Sequence, residues 1–368
     1  MTPTEPAVVR LREVLSGVAT YIPGRPAAAR QGATTYKISS NENPYPPLPS
    51  VLDVVARSAR SLNRYPDLQC TELSAAIAAH LDVAVESVVT GTGSVGVLGQ
   101  IVTATCGAGD EVVYPWRSFE AYPIVVQLSG ARGVPVPLTS DARHDLPAMA
   151  AAVNERTRLV LVCTPNNPTG PAVHADELNR LLKQVPSDVL VVLDEAYVEF
   201  VRDPQAPDSL ELHRRRPNVV VLRTFSKAYG LAGLRVGYAV AHPSVAEALR
   251  KTAVPFGVST IAQDAAVASL AAGQQLAERV DALVAERERI VAALRAQGWQ
   301  LPQTQANFVW FPVGDATPEL AAAFEQAGLI VRPYGADGVR ATIGEPAAGD
   351  RLLESAAEFL AHRRASEQ

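Results

Sequence analysis

Lys227 stands out among the residues that could do chemistry, because lysine is rare in this chain. The sequence has 33 lysines and arginines, and only four of them are lysines. Lys227 follows the apolar run Asn218 to Leu222, which is typical of a strand buried on both faces of a parallel sheet. Ligands of such sheets bind at the carboxyl ends of the strands. A lysine placed there is suited to forming a Schiff base with a carbonyl compound.

The residues around this lysine suit a phosphate group. Ser226 precedes it, Arg235 follows eight residues later, and several glycines between and after them allow close backbone approach. A hydroxyl and a guanidinium bind phosphate, and the amine between them can condense with an aldehyde. Pyridoxal 5′-phosphate carries both groups, so we expect Lys227 to be the catalytic residue of a site for this cofactor. For a Ser-Lys pair alone, a solvated loop lysine would be the simpler explanation.

Two further apolar runs end in polar residues that fit the same cofactor. Asp188–Leu193 leads into Asp194 and Tyr197, and Arg158–Cys163 leads into a turn that contains Asn167. An aspartate after a strand can also cap a helix, and Pro/Asn/Gly runs form ordinary turns. However, a pyridinium nitrogen needs a carboxylate partner to act as an electron sink. The phenol of Tyr197 is placed to reach the phenolic oxygen of such a ring.

The order of these motifs resembles that of the fold-type I pyridoxal-phosphate enzymes, specifically the histidinol-phosphate aminotransferase family of class II aminotransferases. The motifs are Asn-Asn-Pro-Thr-Gly at 166–170, Asp-Glu-Ala-Tyr at 194–197, Ser-Lys at 226–227, Arg-Val-Gly at 235–237 and Arg-Ala-Thr-Ile-Gly at 340–344. The resemblance implies that Asp194 pairs with the pyridine nitrogen, and that Asn167 and Tyr197 hold the phenolic oxygen. It also implies that Ser226 and Arg235 bind the phosphate.

Four more residues are assigned to the cofactor. Gly93 and Ser94 lie in a glycine-rich turn after the strand-like run Ser87–Thr90, and backbone amides at a helix start bind phosphate. Dinucleotide-binding folds share such turns, but here no acidic residue follows in the expected βαβ context. By resemblance, Phe119 stacks on the cofactor ring, and Tyr65 crosses a dimer interface to the phosphate in the partner subunit. We therefore expect a homodimer.

Arg340 is the residue expected to bind the substrate α-carboxylate, because a guanidinium grips a carboxylate bidentately. An exposed arginine on an edge strand is the ordinary alternative, and the match to the family motif favours the binding role. Tyr21 and Asn43 are further substrate-binding candidates. A substrate phosphate, or the distal carboxylate of glutamate, also needs a cation, for which the candidates are Arg25, Arg117 and Arg332.

The substrate class is predicted from two segments. Tyr114–Pro123 resembles the version found in enzymes that act on aromatic amino acids, and Gly93–Gly96 lacks the acidic pair common in histidinol-phosphate enzymes. We predict transamination of phenylalanine, tyrosine and tryptophan with 2-oxoglutarate by a ping-pong mechanism. Transamination of histidinol phosphate is the alternative, because an apolar slot suits a phenyl or an imidazole ring. A decarboxylase and a non-catalytic regulatory module are further alternatives, although the 35 or so residues before Ile38 are too few for a DNA-binding domain.

Length and patterning predict the domain organisation. The chain has 368 residues, of which 48% are hydrophobic, enough for a large core and two domains. Alternating strand and helix patterns predict an α/β fold, with a mostly parallel sheet in a large cofactor-binding domain over residues 36–255. Residues 1–35 and 256–368 are predicted to form a smaller α+β domain together with the N-terminal arm.

Charge and cysteine content limit the partners. A net charge of −5 gives no basic footprint for nucleic acid. The N-terminus has no long apolar stretch that resembles a secretion signal or a membrane span. Three cysteines without metal-binding spacing are typical of a reduced protein. We therefore expect a cytoplasmic enzyme with no metal, whose partners are amino acids, 2-oxo acids and a second copy of the chain.

Overall fold

The computed structural model describes residues 9–22, 24 and 34–366 of the chain. Its strands are β1 Tyr36–Lys37, β2 Val88–Gly91, β3 Glu111–Trp116, β4 Arg132–Pro137, β5 Thr157–Cys163, β6 Leu190–Asp194, β7 Val219–Thr224, β8 Gly237–Val240, β9 Phe308–Phe311, β10 Leu329–Ile330, β11 Arg332–Tyr334 and β12 Gly338–Thr342. Its α-helices are α1 Pro49–Ser58, α2 Thr71–Leu81, α3 Gly93–Thr105, α4 Ala121–Ser129, α5 Leu146–Ala152, α6 Ala175–Gln184, α7 Ser209–Arg215, α8 Pro243–Lys251, α9 Thr260–Ala271, α10 Gly273–Gln297, α11 Thr317–Gln326 and α12 Pro346–Ser366.

A seven-stranded sheet carries the three strands on which the sequence argument depends. Its strand order is β2-β8-β7-β6-β5-β3-β4. Strands β7, β6, β5, β3 and β4 run parallel, and β8 is antiparallel to both of its neighbours. The carboxyl ends of β5, β6 and β7 therefore meet at one edge of the sheet. This confirms the predicted α/β fold class with a mostly parallel sheet.

Helices cover both faces of this sheet, which explains the continuous apolar runs of its central strands. Successive residues of a strand point to opposite faces, and Val191 and Val192 accordingly enter two different cores. The core on one face includes residues of α3 and α4, and the core on the other includes residues of α5 and α6. Strands buried on both faces need apolar side chains at every position.

A second sheet lies in the C-terminal part of the chain. Strands β11, β12 and β9 form an antiparallel sheet, and β1 pairs in parallel with β10. This C-terminal part has a core of its own, which contains aromatic residues such as Trp299, Phe311 and Phe324. None of the helices within the described ranges is long and apolar enough to cross a membrane.

Two elements of this region are divided where the sequence pattern is continuous. The Ala/Leu/Glu/Arg-rich run 264–297 is typical of a single helix, but α9 ends at Ala271 and α10 begins at Gly273. Gly273 stands at the break, because glycine is a poor residue for a helix interior. The apolar run 329–331 with Arg332 is typical of one strand, but it is split between β10 and β11, which pair with different strands.

Candidate active site

The last residues of β5, β6 and β7 line a cavity of about 260 Å³. Its other walls come from the start of α3, from the segment around Ser39 to Glu42, and from β11 and β12. The cavity thus lies between the seven-stranded sheet and the sheet of β11, β12 and β9. Ten of the residues predicted for the site line it, and these are Tyr21, Ser94, Phe119, Asn167, Asp194, Tyr197, Ser226, Lys227, Arg235 and Arg340.

Lys227 points into the cavity from the turn after β7. Its Nζ donates a hydrogen bond to the carbonyl oxygen of Ser40 at 3.0 Å. Burial and the nearby guanidinium of Arg340 lower the pKa of Lys227 to about 7. A substantial fraction of the amine is therefore uncharged near neutral pH, as a nucleophile or a general base requires.

Asn43 supports this turn from outside the cavity lining. Its amide Nδ2 donates to the carbonyl oxygen of Ala228 at 2.9 Å and to that of Lys227 at 3.4 Å. Asn43 therefore contacts the backbone that carries Lys227.

Asp194 lies at the carboxyl end of β6 with only 4% of its surface exposed. Its Oδ2 accepts a hydrogen bond from the Tyr122 hydroxyl at 2.8 Å. Its Oδ1 is buried and has no hydrogen-bond partner among the described residues. Burial raises the pKa of Asp194 to about 6, although the bond from Tyr122 acts in the opposite direction. A buried carboxylate oxygen without a donor indicates that a ligand supplies one.

An anion site lies at the start of α3. Arg235 Nη1 is 3.4 Å from Ser226 Oγ, which also accepts a hydrogen bond from Thr224 Oγ1 at 3.0 Å. A Cβ at Gly93 would lie 2.6 Å from Arg235 Nη2, and Gly93 has φ of +76°. The positive φ favours glycine there, and a larger residue would also displace the end of the Arg235 side chain. The guanidinium, the hydroxyl and the backbone amides of a helix start together suit a phosphate.

Arg340 extends from β12 towards Asn167. Its Nη1 donates to Asn167 Oδ1 at 2.5 Å and its Nη2 donates to the carbonyl oxygen of Ser39 at 2.6 Å. Its Nε is buried and makes no hydrogen bond to the part of the chain that the structure describes. Beside it, the Tyr197 hydroxyl accepts from Asn41 Nδ2 at 2.9 Å, and burial raises the pKa of Tyr197. These contacts hold the guanidinium and the phenol in the lining of the cavity.

Tyr122 is a site residue whose function the sequence did not predict. An aromatic residue is ordinarily a core residue, and the Tyr122 ring is indeed fully buried, edge-on to Phe119 at 5.7 Å between centroids. Its hydroxyl nevertheless reaches the carboxylate of Asp194. Buried tyrosine hydroxyls need a polar partner, but sequence alone does not identify that partner.

Glu120 is a second residue that sequence reasoning missed. It lines the cavity, and its Oε2 accepts a hydrogen bond from Arg332 Nη2 at 2.8 Å. Of the three arginines considered for a distal substrate group, Arg332 therefore lies at the cavity. Arg117 pairs instead with Asp337, with Nε 2.8 Å from Oδ2. Arg25 lies outside the described residues.

Two predicted cofactor residues do not line the cavity of their own chain. Gly93 lies directly beneath the guanidinium of Arg235. Tyr65 is 82% exposed, and its ring contacts that of Phe256 at 4.7 Å between centroids. A residue that serves the partner subunit would be exposed in a single chain, so this position agrees with the expected intersubunit role without testing it.

The comparisons with known proteins agree with this geometry. Residues 34–355 match the family model for aminotransferase class I and II. The chain belongs to that family. An aromatic amino acid aminotransferase from Streptomyces avermitilis is 60% identical over 98% of this chain and 99% of its own length. One from Thermobifida fusca is 55% identical over 95% of this chain and 97% of its own.

A solved structure extends the similarity to three dimensions. The histidinol-phosphate aminotransferase from Sinorhizobium meliloti, in complex with pyridoxal 5′-phosphate, superimposes with a TM-score of 0.86. It is 31% identical to this chain, and the match covers 96% of this chain and 98% of that one. The protein is therefore an enzyme of the aminotransferase family, whose cofactor is pyridoxal 5′-phosphate.

The residues of the cavity fit this cofactor. The unsatisfied Oδ1 of Asp194 can accept a hydrogen bond from a protonated pyridine nitrogen. At one side, Ser94, Ser226 and Arg235 provide donors for a phosphate. The amine of Lys227 lines the same cavity. These side chains thus match the pyridine nitrogen, the phosphate and the aldehyde of the molecule.

Proposed function

We propose that this protein transfers the amino group of phenylalanine, tyrosine and tryptophan to 2-oxoglutarate. The observation that carries this proposal is the 60% identity, over nearly the whole of both chains, to an enzyme named aromatic amino acid aminotransferase. The rings of Tyr21, Phe119 and Tyr334 in the cavity wall support it, because they provide apolar surface for an aromatic side chain.

The residues are proposed to divide the work as follows. Arg340 binds the α-carboxylate, which orients the Cα–H bond towards Lys227. Lys227 Nζ then takes the proton from Cα and returns it later in the turnover. Pyridoxal phosphate, when bound, supplies an aldehyde and an electron-withdrawing ring.

Four further residues are proposed to position the cofactor. Asp194 keeps the pyridine nitrogen protonated, and Phe119 stacks on the ring. Asn167 and Tyr197 are proposed to hold its phenolic oxygen. The residues at the start of α3 hold its phosphate, so that the ring stays fixed while protons move.

The experiment that tests the function is a comparison of kcat/KM for phenylalanine and for histidinol phosphate, each with 2-oxoglutarate as acceptor. We expect a preference of at least about 100-fold for phenylalanine, which corresponds to roughly 3 kcal/mol in transition-state binding. A preference for histidinol phosphate would overturn the substrate assignment. Release of labelled CO2 from the carboxyl group would instead indicate a decarboxylase.

Histidinol phosphate is kept as the second candidate for one specific reason. The structure with a TM-score of 0.86 is of an enzyme named for that substrate. Its 31% identity is about half that of the aromatic enzymes, so the aromatic proposal has the stronger support.

A homodimer is the proposed assembly. Large apolar side chains are exposed close to one another in sequence, namely Leu62, Tyr65 and Leu68, and the ring of Phe256 contacts Tyr65. Apolar surface of this kind is typical of an interface. In that dimer, Tyr65 is proposed to reach the cofactor phosphate of the partner subunit.

Tyr65→Phe tests this contact. We expect cofactor dissociation to be a few-fold faster, as for loss of roughly 1 kcal/mol from one hydrogen bond, with the dimer intact by light scattering. Tyr36→Phe is the matched control, since Tyr36 lies on β1 and packs beside Arg351. Unchanged dissociation in Tyr65→Phe would place the phosphate contact elsewhere.

The domain boundaries and the location are also proposals. The separate core of the C-terminal sheet supports a division into residues 36–255 and residues 1–35 with 256–368. The three free cysteines support a reducing compartment, the cytoplasm.

A further inference from the structure

Ser39 is a residue of the cavity lining whose hydroxyl has no partner in the chain. It lies between β1 and α1 and is 1% exposed. Its Oγ is buried and makes no hydrogen bond to the described residues. A Cβ at Gly24 would lie 2.7 Å from this oxygen, so the backbone at Gly24 covers the hydroxyl from one side. A buried hydroxyl without a partner destabilises the free protein and indicates that a ligand supplies the partner.

The guanidinium of Arg340 is in direct contact with Ser39. Its Nη2 donates to the carbonyl oxygen of Ser39 at 2.6 Å, and its Nη1 donates to Asn167 Oδ1 at 2.5 Å. Both acceptors are neutral, and the guanidinium carbon lies 5.5 Å and 5.6 Å from the ring centroids of Phe308 and Tyr334. A cation that is buried among neutral groups needs an anionic partner.

Two hydrogen-bond donors of these neighbouring residues therefore lack acceptors. They are Ser39 Oγ and Arg340 Nε, and both residues line the cavity. A carboxylate has two oxygens that accept hydrogen bonds, and a charged acceptor forms stronger hydrogen bonds than a neutral one. A ligand that satisfies both donors and the charge of Arg340 is an anion of this kind, such as the α-carboxylate of an amino acid.

We propose that Ser39 is a further substrate-binding residue, whose hydroxyl donates a hydrogen bond to the carboxylate that Arg340 binds. The carbonyl oxygen of Ser40, the next residue, accepts the hydrogen bond from Lys227 Nζ at 3.0 Å. One short segment therefore contacts both the substrate carboxylate and the amine that acts on Cα, which sets the position of one relative to the other. The inference deepens the proposed function and rests on it, because it adds a second donor to the carboxylate site proposed for Arg340.

Thr35, four residues before Ser39, provides a matched control. Its Oγ1 is also buried and has no hydrogen-bond partner within the described ranges. Thr35 is not one of the described residues that line the cavity, and it lies instead beside Gly328, where a Cβ would be 3.9 Å from Thr35 Cα. Thr35→Val therefore removes the same kind of hydroxyl without changing the cavity.

The test compares an acid with a neutral compound of the same length, with binding to the holoenzyme measured by calorimetry. 3-Phenylpropionate carries a carboxylate, and 3-phenylpropanol carries a neutral hydroxyl in its place. For Ser39→Ala we expect 3-phenylpropionate to bind about tenfold more weakly and 3-phenylpropanol to change by less than about threefold, because a hydrogen bond to a charged oxygen is the stronger one. For Thr35→Val both dissociation constants should stay within about twofold of the wild type.

Cofactor affinity separates substrate binding from a structural role. In Ser39→Ala we expect the dissociation constant for pyridoxal phosphate to stay within about twofold of the wild type, while kcat/KM for phenylalanine falls about tenfold. Unchanged binding of 3-phenylpropionate, or an equal loss of affinity for the acid, the alcohol and the cofactor, would overturn the proposal. A weaker 3-phenylpropionate complex of Ser39→Ala, in a protein whose kcat/KM favours histidinol phosphate, would support the role of Ser39 while contradicting the proposed function.

Discussion

Two buried carboxylates at opposite ends of the seven-stranded sheet differ in how many hydrogen bonds they accept. Glu111 opens β3 at the amino end, and its oxygens accept hydrogen bonds from Arg132, Arg156 and Asn154 at 2.5–2.8 Å. Asp194 closes β6 at the carboxyl end, and it accepts one side-chain hydrogen bond, from Tyr122. Both residues are at most 4% exposed.

Their pKa values differ accordingly. Hydrogen bonds, the largest from Arg132, lower the pKa of Glu111 from 4.5 to about 2. Burial raises the pKa of Asp194 from 3.8 to about 6. At the amino end of the sheet, side chains of the protein supply the donors for the Glu111 carboxylate. At the carboxyl end, Asp194 Oδ1 has no donor among the described residues, and a ligand can supply one. Such preorganisation costs stability in the free protein and makes the site ready for chemistry.

Lys227→Ala should produce the largest effect at the carboxyl end. We expect transamination to fall by roughly 10⁴-fold, because the group that moves the proton is lost. The fold should remain, since the amine's hydrogen bond is to a single carbonyl oxygen, that of Ser40. Turnover and thermal unfolding check the two expectations. Lys251→Ala is the control, because Lys251 is exposed on α8 and pairs with Glu247, and wild-type turnover in Lys227→Ala would refute the proposed role.

Asp194→Asn should separate activity from stability. We expect turnover to fall by roughly 10²- to 10³-fold, because the charge opposite the pyridine nitrogen is lost. The cofactor-free protein should become more stable at pH 8. The folded state binds a proton more tightly than the unfolded state, so ionised Asp194 lowers stability as pH rises from 3.8 to about 6, and the cost persists above that. A lower Tm for Asp194→Asn than for the wild type at pH 8 would contradict this account.

The cofactor end of the site was more predictable from sequence than the substrate end. Asp194, Lys227 and Asn167 each follow a continuous apolar run, and parallel strands bring such positions together at one edge. Glu120 and Arg332 are 212 residues apart, and their contact depends on how β11 and α4 are placed. No local pattern contains that information. The same holds for the bond between Tyr122 and Asp194, which joins residues 72 positions apart.

Glu111→Gln is the same type of substitution at the other end of the sheet, and it should have the opposite effect on stability. We expect a loss of about 2 kcal/mol at pH 7, because charged hydrogen bonds are weakened. The depressed pKa stabilises the folded state above pH 4.5, and this contribution disappears as pH falls towards about 2. The difference between the two proteins should therefore become much smaller in acid. Urea unfolding at pH 7 and pH 2.5 measures it, and turnover should be unchanged.

Tyr122→Phe should give the smallest effect, because it removes one hydroxyl and keeps the ring packing. The hydrogen bond from Tyr122 lowers the pKa of Asp194, so its loss should raise that pKa further. We expect kcat/KM to fall by less than about tenfold, because one hydrogen bond contributes roughly 1 kcal/mol and a factor of ten corresponds to about 1.4 kcal/mol. The pH at which the cofactor-free protein loses affinity for the cofactor on the acid side should also move to higher values, which a purely structural defect would not cause. Tyr114→Phe is the control, since the Tyr114 ring lies 6.1 Å from that of Tyr122 between centroids, and an equal shift in its pH profile would remove the special role of Tyr122.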